Sequence, residues 1–565
     1  MPAAARTLPI SSAHREFTVK VGGQALGREH RLAAVHVTKA VNRISSARLH
    51  YYDGSAAASD FPLSNTGTFV PGAEVEILAG PPDDPASIFK GIVVRQGIRV
   101  RDQAAPMLIV ECRHAAARLT VGAKNAFYLG EKDSDVIAAL LAAANVDADV
   151  EATSVSHPQQ VQFRATDWDY LLARAEANGK MVFTNDAKVA VRAPALSGTP
   201  AVSLLFGATI MELDAEIDAR SQFSAVKSVT WDPAQQSLLE KDAADPGVSG
   251  PGNLSSDDLA GVVALPALEL RHAALEGGEA QAWADAQWLK SRLSKVNGRA
   301  KCEGIATVNP GDLVDLSGIG ERYSGTAFVA GVRHEYDGAQ GWKTHLQFGS
   351  VDTWAAEERA ISAPPAAALL PAVSGLQIGQ VTSNEDPDGE HRVRVRLPLV
   401  SDQADGVWAR VASLDAGDQR GFFFRPEIDD EVVVGFLDDD PRRAVILGML
   451  HSSAKAAPLQ GSDANNEKVY RSRSGMRLYF DDDKKIALLE TPAGNRLTLS
   501  EQDQGVKLED QNGNKIEMSA SGVKIESASA LELKAGSQLK LSGQAGAELS
   551  SPATCKVQGS MVQIN

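Results

Sequence analysis

The most constraining feature of this 565-residue chain is a repeat at its C-terminal end. Apolar residues recur there in pairs at i and i+2: Leu497/Leu499, Val506/Leu508, Ile516/Met518, Val523/Ile525, Leu531/Leu533, Leu539/Leu541, Ala547/Leu549, Cys555/Val557 and Val562/Ile564. First members are spaced 9, 10, 7, 8, 8, 8, 8 and 7 residues apart, with glycine at many junctions. Such a unit is a short strand with one apolar face, too narrow to close a core alone. From residue 481 onward there is no aromatic to thicken that core. Three chains wound about one axis would turn all the stripes inward and leave few open edges. At about one strand spacing of 4.8 Å per unit, the seven or so units from Val506 span roughly 35–40 Å. The pattern predicts a rod; a single-chain antiparallel meander is the alternative. The expected rod core is Val506, Leu508, Ile516, Met518, Val523, Ile525, Leu531, Leu533, Leu539, Leu541, Leu549 and Val557. Cys555 sits at an apolar position and is read as core, with an axial metal between three copies as the alternative.

Upstream, the texture changes twice. Residues 1–360 read as mixed β and α. Strands are expected at Phe17–Val21, Val75–Leu78 and Leu108–Cys112, between Gly, Pro and Asp clusters. Thr166 is the expected N-cap of a helix carrying Trp168, Leu171, Leu172 and Ala175, stopped by Asn178-Gly179. A second helix is expected from about Glu279 to Val296, ended by Asn297-Gly298, and Asp232–Gly261 is expected to be a surface loop. A Pro/Ala-rich linker (361–375) precedes a module at 376–452. Strands are predicted there at Arg392–Leu397, Trp408–Ala412, Gly421–Phe424, Glu431–Phe436 and Ala444–Leu447, enough for a small barrel. A polar linker (453–467) leads to the repeat region, 468–565.

Several function classes fit poorly. With 56 Lys and Arg against 72 Asp and Glu, the formal charge is −16, which argues against nucleic acid as a partner. Three dispersed cysteines make neither a disulfide framework nor a zinc module. The first residues lack an apolar signal core, so synthesis in the cytoplasm without a signal peptide is expected. The longest apolar stretch, Val136–Ala144, is too short to span a membrane. His334-Glu335 lacks the second histidine of a zincin, which would fall at Gly338. Gly247-Val248-Ser249-Gly250-Pro251 lacks the final glycine of a nucleophile elbow. The clusters Asp438-Asp439-Asp440 and Asp481-Asp482-Asp483 read as solvated turns. No catalytic residue, cofactor or metal site is expected.

Several segments carry a resemblance to a known family. Gly379–Gly389, Arg392–Pro398, Trp408–Ala412, Gly421–Glu427, Asp429–Phe436, Asp440–Arg443 and Ile446–Gly448 resemble the barrel of VgrG-type spike proteins, the hub and needle of contractile injection systems. Thr166–Gly179, Gly252–Ala260 and Ser324–His334 resemble the family's hub region. Phe61–Asn65 and Phe69–Gly72 are closest to spikes of extracellular, phage-tail-like particles; type VI secretion and phage tails are the other settings.

The resemblance implies a mainly β chain. Its parts are a phage-hub-like α+β domain of two barrel subdomains with helical insertions, an OB-fold barrel, and a C-terminal intertwined triple-stranded β-helix. It implies a homotrimer seated on a hexameric inner tube protein, held among baseplate proteins and capped by a PAAR-type tip protein, with cargo effectors as further partners. Met561, Val562, Gln563, Ile564 and Asn565 are the expected tip contact. The whole would be driven through a target envelope on sheath contraction. A receptor-binding fibre and a polymer hydrolase with its site in the hub are the alternatives. A fibre is expected to end in an aromatic-rich knob, and an enzymatic relative needs an extra domain for which the repeats leave no room.

Overall fold

The computed structural model describes residues 16–186, 188–232, 235–248, 250–272, 275–350, 353–358 and 364–564. The chain divides into two compact units, 1–367 and 368–565.

In the first unit a 13-stranded sheet is found among the described residues. From one edge its order is Glu212–Ile217, Val296–Glu303, Gly341–Phe348, Gly325–Asp337, Leu32–Ala40, Ser46–Tyr52, Ala104–Arg113, Ala86–Arg101, Glu74–Gly80, Glu16–Val21 and Gln24–Ala25. Val202–Leu205 and Leu313–Ser317 branch off through Gly325–Asp337. The seam is the antiparallel pair Gly325–Asp337 with Leu32–Ala40, in register from Gly331 opposite Ala40 to Asp337 opposite Ala34. Each side curls over its own core. Val35, Leu49, Tyr51, Phe69, Ile77 and Phe89 fill one; Leu204, Val314, Val329, Leu346 and Phe348 fill the other. Alternation along the strands creates both, since every second residue is buried across Val35–Lys39 and Ala47–Tyr51 on one side and Thr344–Phe348 on the other.

A helical insertion has a third core, built from Ile137, Leu141, Trp168, Leu171, Leu172, Val182 and Val191. Its helix Asp167–Ala177 starts where the capping pattern predicts: Thr166 Oγ1 accepts from the Asp169 amide at 3.1 Å. The helix Asp133–Ala143 holds the apolar run from Val136 to Ala143, with Ala144 as its C-cap. Among the described residues, no helix is long and apolar enough to cross a membrane.

Two buried carboxylates tie the insertion together. Asp133 is 1% exposed and accepts from Arg174 Nε (2.7 Å) and Nη2 (2.9 Å), Gln160 (2.9 Å) and Asn178 (2.8 Å), with His157 Nε2 at 3.0 Å. Burial, the largest single influence, opposes its ionisation, but the hydrogen bonds and charge of Arg174 together with the Gln160 and Asn178 hydrogen bonds hold the carboxyl down at about 2. Glu176 accepts from Lys290 Nζ at 3.0 Å and from the Ala355 amide at 2.8 Å, pinning the helix Gly277–Leu293 and the segment around Ala355 to the same point.

Two expectations for this unit are corrected. The second helix spans Gly277–Leu293, and Val296, Asn297 and Gly298 open the strand Val296–Glu303 instead of ending the helix. Pairing on both sides decides this: Val296 lies opposite Ile217, and a Cβ at Gly298 would meet the Asp214 carbonyl at 2.3 Å. The expected loop Asp232–Gly261 contains the strand Ser237–Asp242 and most of the helix Ser256–Val263. That helix starts with a capping box in which Ser255 and Asp258 bond each other's backbone.

The second unit begins with a closed barrel of five strands, in the order Gln377–Ser383, Val393–Arg396, Val407–Val411, Ala444–Met449 and Glu431–Phe436. Val381, Val393, Val395, Ala409, Val432, Val434 and Ile446 fill it. The fifth strand is Gln377–Ser383, not Gly421–Phe424. Gly421 pairs in a two-residue hairpin with Ala416-Gly417, and the phenylalanines that follow are outside any strand.

Beyond the barrel, seven five-residue strands form an antiparallel meander: Glu467–Arg471, Arg477–Asp481, Ile486–Glu490, Arg496–Ser500, Gly505–Glu509, Lys515–Ser519 and Gly522–Glu526. Within one chain, this stretch adopts the alternative reading of the repeat. From residue 527 to 564 no strand is assigned among the described residues.

Candidate functional site

Strand alternation makes the meander two-faced, and its register lines the faces up. Tyr470, Leu478, Leu489, Leu497, Leu508, Ile516 and Ile525 stand opposite one another in turn across all seven strands. Two residues along, Phe480, Ala487, Leu499, Val506, Met518 and Val523 form a second row on the same face. The opposite face carries Arg477, Glu490, Arg496, Glu509, Lys515 and Glu526 in register, alternating in sign from the second strand to the seventh; on the first strand Arg471 faces Arg477. Arg477 and Arg496 both bind Glu490, at 2.6 and 2.8 Å, and Lys515 meets Glu526 at 2.7 Å. The Lys515 and Lys524 hydrogen bonds hold the Glu526 carboxyl down at about 2.

Cross-strand apolar and opposite-charge pairs both stabilise a sheet, and a one-residue slip would put each on the wrong face. The charged face therefore fixes the register that keeps the apolar face continuous.

That apolar face is uncovered in a single chain. Leu497, Leu508, Ile525 and Val523 are 36%, 50%, 51% and 68% exposed, while Ala487, Val506 and Ile516 are half-buried. Soluble monomers rarely expose contiguous apolar surface on this scale.

Turns hold the strands at this spacing. Asp510 accepts from the amides of Asn512 (2.9 Å) and Asn514 (2.8 Å) and from Asn514 Nδ2 (2.7 Å); the Asn514 side-chain bond leads in holding its carboxyl at about 2. Asp481 caps its own turn by accepting from the Asp483 and Lys484 amides, and Asp440 accepts from the Arg442 amide and guanidinium. Both aspartate clusters are thus built into turns. Among the described residues, no three His, Cys, Asp or Glu side chains are placed to hold a metal ion.

The expected core residues divide at residue 526. Val506, Leu508, Ile516, Met518, Val523 and Ile525 share the apolar face just described. Leu531, Leu533, Leu539, Leu541, Leu549 and Val557 follow in the stretch without assigned strands, each 55–78% exposed. Met561, Val562 and Ile564 are 84%, 49% and 90% exposed, Gln563 is exposed as well, and Asn565 lies outside the described residues. Sequence reasoning missed the head of the rows at Tyr470, Leu478, Phe480 and Leu489. The spacing holds the signal: pairs led by Leu478, Ala487, Leu497, Val506 and Ile516 step by 9 or 10 residues, then by 7 or 8.

Comparison with known proteins places these parts. Residues 11–337 match the family model of the Alg8 N-terminal domain. Residues 377–451 match the type VI secretion system/phage-baseplate injector OB domain, and 485–565 the phage baseplate V C-terminal trimerisation domain. The chain is 31% identical over 115 residues to the type VI secretion system spike protein VgrG3 of Vibrio cholerae, covering 18% of this chain and 11% of that protein. It is 30% identical over 112 residues to the actin cross-linking toxin VgrG1 of Vibrio cholerae, covering 18% and 10%. The chain thus spans about a tenth of the length of these relatives. A similar solved structure is the 43 kDa tail protein of prophage MuSo2 from Shewanella oneidensis, at 14% identity and a TM-score of 0.44, covering 60% of this chain and 99% of that one. With its first match alone covering more than half of its length, the chain belongs to the Alg8 N-terminal domain family and is, with its OB and trimerisation domains, a VgrG-type spike protein.

Proposed function

We propose that three copies of this chain form the spike of a contractile injection machine. Their hub regions join an inner tube and baseplate to a needle that is driven through a target envelope when the sheath contracts. The observation that carries this reading is the pair of unbroken apolar rows from Tyr470 to Ile525, left open in one chain and lying largely within the match to a trimerisation domain. Three copies closing on those rows would bury them on an axis, with the alternating charges outward.

Among the described residues beyond 526, no strand is assigned within one chain. We assign Leu531, Leu533, Leu539, Leu541, Leu549 and Val557 to pairing between copies. Residues Met561–Asn565 then offer a three-sided platform to a separate PAAR-type tip protein. The work of such a spike is mechanical and requires no bond chemistry: a rod crosslinked by backbone hydrogen bonds transmits an axial push.

The test is capture of purified hexameric inner tube protein and PAAR-type tip protein by the full-length chain. The expected complex holds three copies of the chain per tube hexamer. A chain that captures neither protein contradicts the proposal.

A further inference from the structure

The apolar row does not begin at the meander. Phe424, in the segment that leads from the Ala416–Gly421 hairpin to the barrel strand Glu431–Phe436, packs its ring against Tyr470 at 4.8 Å between centroids, and Tyr470 heads the first row. Phe422, two residues back, stacks on Phe424 at 5.9 Å. The intervening Phe423 turns elsewhere, toward His391 at 6.4 Å and beneath the Arg425 guanidinium. Phe422, Phe424 and Tyr470 are 52%, 51% and 52% exposed, leaving roughly 100 Å² of ring surface open on each. The backbone here is held in place: the Phe422 amide donates to the Asp415 carbonyl, and Ser413 Oγ donates to the Phe422 carbonyl at 2.8 Å.

We infer that Phe422 and Phe424 are part of the contact between copies of this chain, so that trimer packing starts on the barrel and runs without a break into the needle. The occupant follows from continuity: a surface that closes over Tyr470 and Leu478 meets the Phe424 ring next. Large aromatic side chains at the end of an apolar row are the residue type that dominates interface energetics. The inference rests on the trimeric reading above and adds to it a specific anchor outside the trimerisation-domain match.

The experiment uses full-length chain in a Cys555→Ser background, since Cys112 and Cys302 are buried. Single cysteines replace Phe424, Phe423 and Leu414, the last 93% exposed. Mass is checked by light scattering, and maleimide labelling rates are measured on the assembled protein. The expected result is a trimer in which position 424 labels at least about 50-fold more slowly than 414, while 423 labels at a rate close to 414, because protection scales with the rarity of opening. A trimer in which 424 labels within about threefold of 414 overturns the inference and leaves the trimer standing. A full-length chain that is monomeric before any substitution overturns the trimeric reading itself. If Phe424→Cys fails to assemble, Phe424→Leu is expected to restore the trimer, and a trimer equally well formed by Phe424→Ser counts against the anchor.

Discussion

Replacing Leu508 by aspartate separates a needle that closes on its apolar rows from a sheet stable by itself. Leu508 lies in the middle of the first row, with Leu497 and Ile516 as its in-register neighbours, and is 50% exposed in one chain. Fully burying a leucine is worth roughly 1.5–3 kcal/mol, so covering the open half stabilises the assembly by about 1 kcal/mol per copy and ~3 kcal/mol per trimer. Leu508→Ala therefore weakens the trimer modestly. Leu508→Asp does more, because three carboxylates would be desolvated close to the axis, at several kcal/mol each. In an isolated chain the same aspartate is half in water and costs little. The expected outcome is loss of trimer with retained far-UV circular dichroism and a folded hub, read by light scattering and thermal melts. A Leu508→Asp protein that stays trimeric with an unchanged dissociation midpoint refutes the inward orientation of that row.

The same logic extends to residues past the meander: Leu533→Asp is expected to prevent trimers as well, and wild-type assembly by that variant would show that its stripe faces outward. Deleting Met561–Asn565 should abolish co-purification of a PAAR-type tip protein while leaving the oligomeric mass intact; unchanged co-purification counts against the platform. In the first unit, Glu176→Ala leaves the Lys290 ammonium buried without its carboxylate and should cost about 3–5 kcal/mol, seen as a lower Tm of that unit. For Asp133, the folded carboxyl is held at about 2 against an ordinary value of 3.8. Its contribution, about 2 kcal/mol, is complete above pH 5 and is lost as pH falls toward 2. Asp133→Asn should flatten that acid limb in denaturation curves, and an unaltered limb would remove Asp133 as its source.

Much of this architecture was legible in the residues, where local chemistry and final structure agree. Thr166 announced its helix because an N-cap acts within one turn. The strands at Phe17, Val75 and Leu108 were visible because each has one face in a core. The failures came where distant partners decide. The helical period carried past Leu293 to Val296, but strands on either side claim Val296–Glu303. The Gly/Pro-rich stretch after Asp232 concealed Ser256–Val263, whose Ser255–Asp258 capping box was present in the sequence and went unread. Gly421–Phe424 reads as a strand, but its three phenylalanines lie outside the barrel strands and are exposed in one chain. The repeat was legible as strand pairs, but its change of step at Ile516 was not used. Steps of 9 or 10 residues fit five-residue strands joined by four- or five-residue turns within one chain. The step of 7 that follows leaves two residues, Ala520 and Ser521, between Ser519 and Gly522. The head of the apolar rows was missed because Tyr470 and Phe480 break the aromatic-free texture that defined the repeat.

The central claim is that the C-terminal region holds three chains together. The most direct test is the solution mass of the full-length chain by light scattering, beside a version stopped at Glu467. The account predicts three times the 59.7 kDa chain mass for the full-length protein and a drop in mass for the truncated one. A full-length protein that runs as a clean monomer, with its apolar rows open to water, would contradict it.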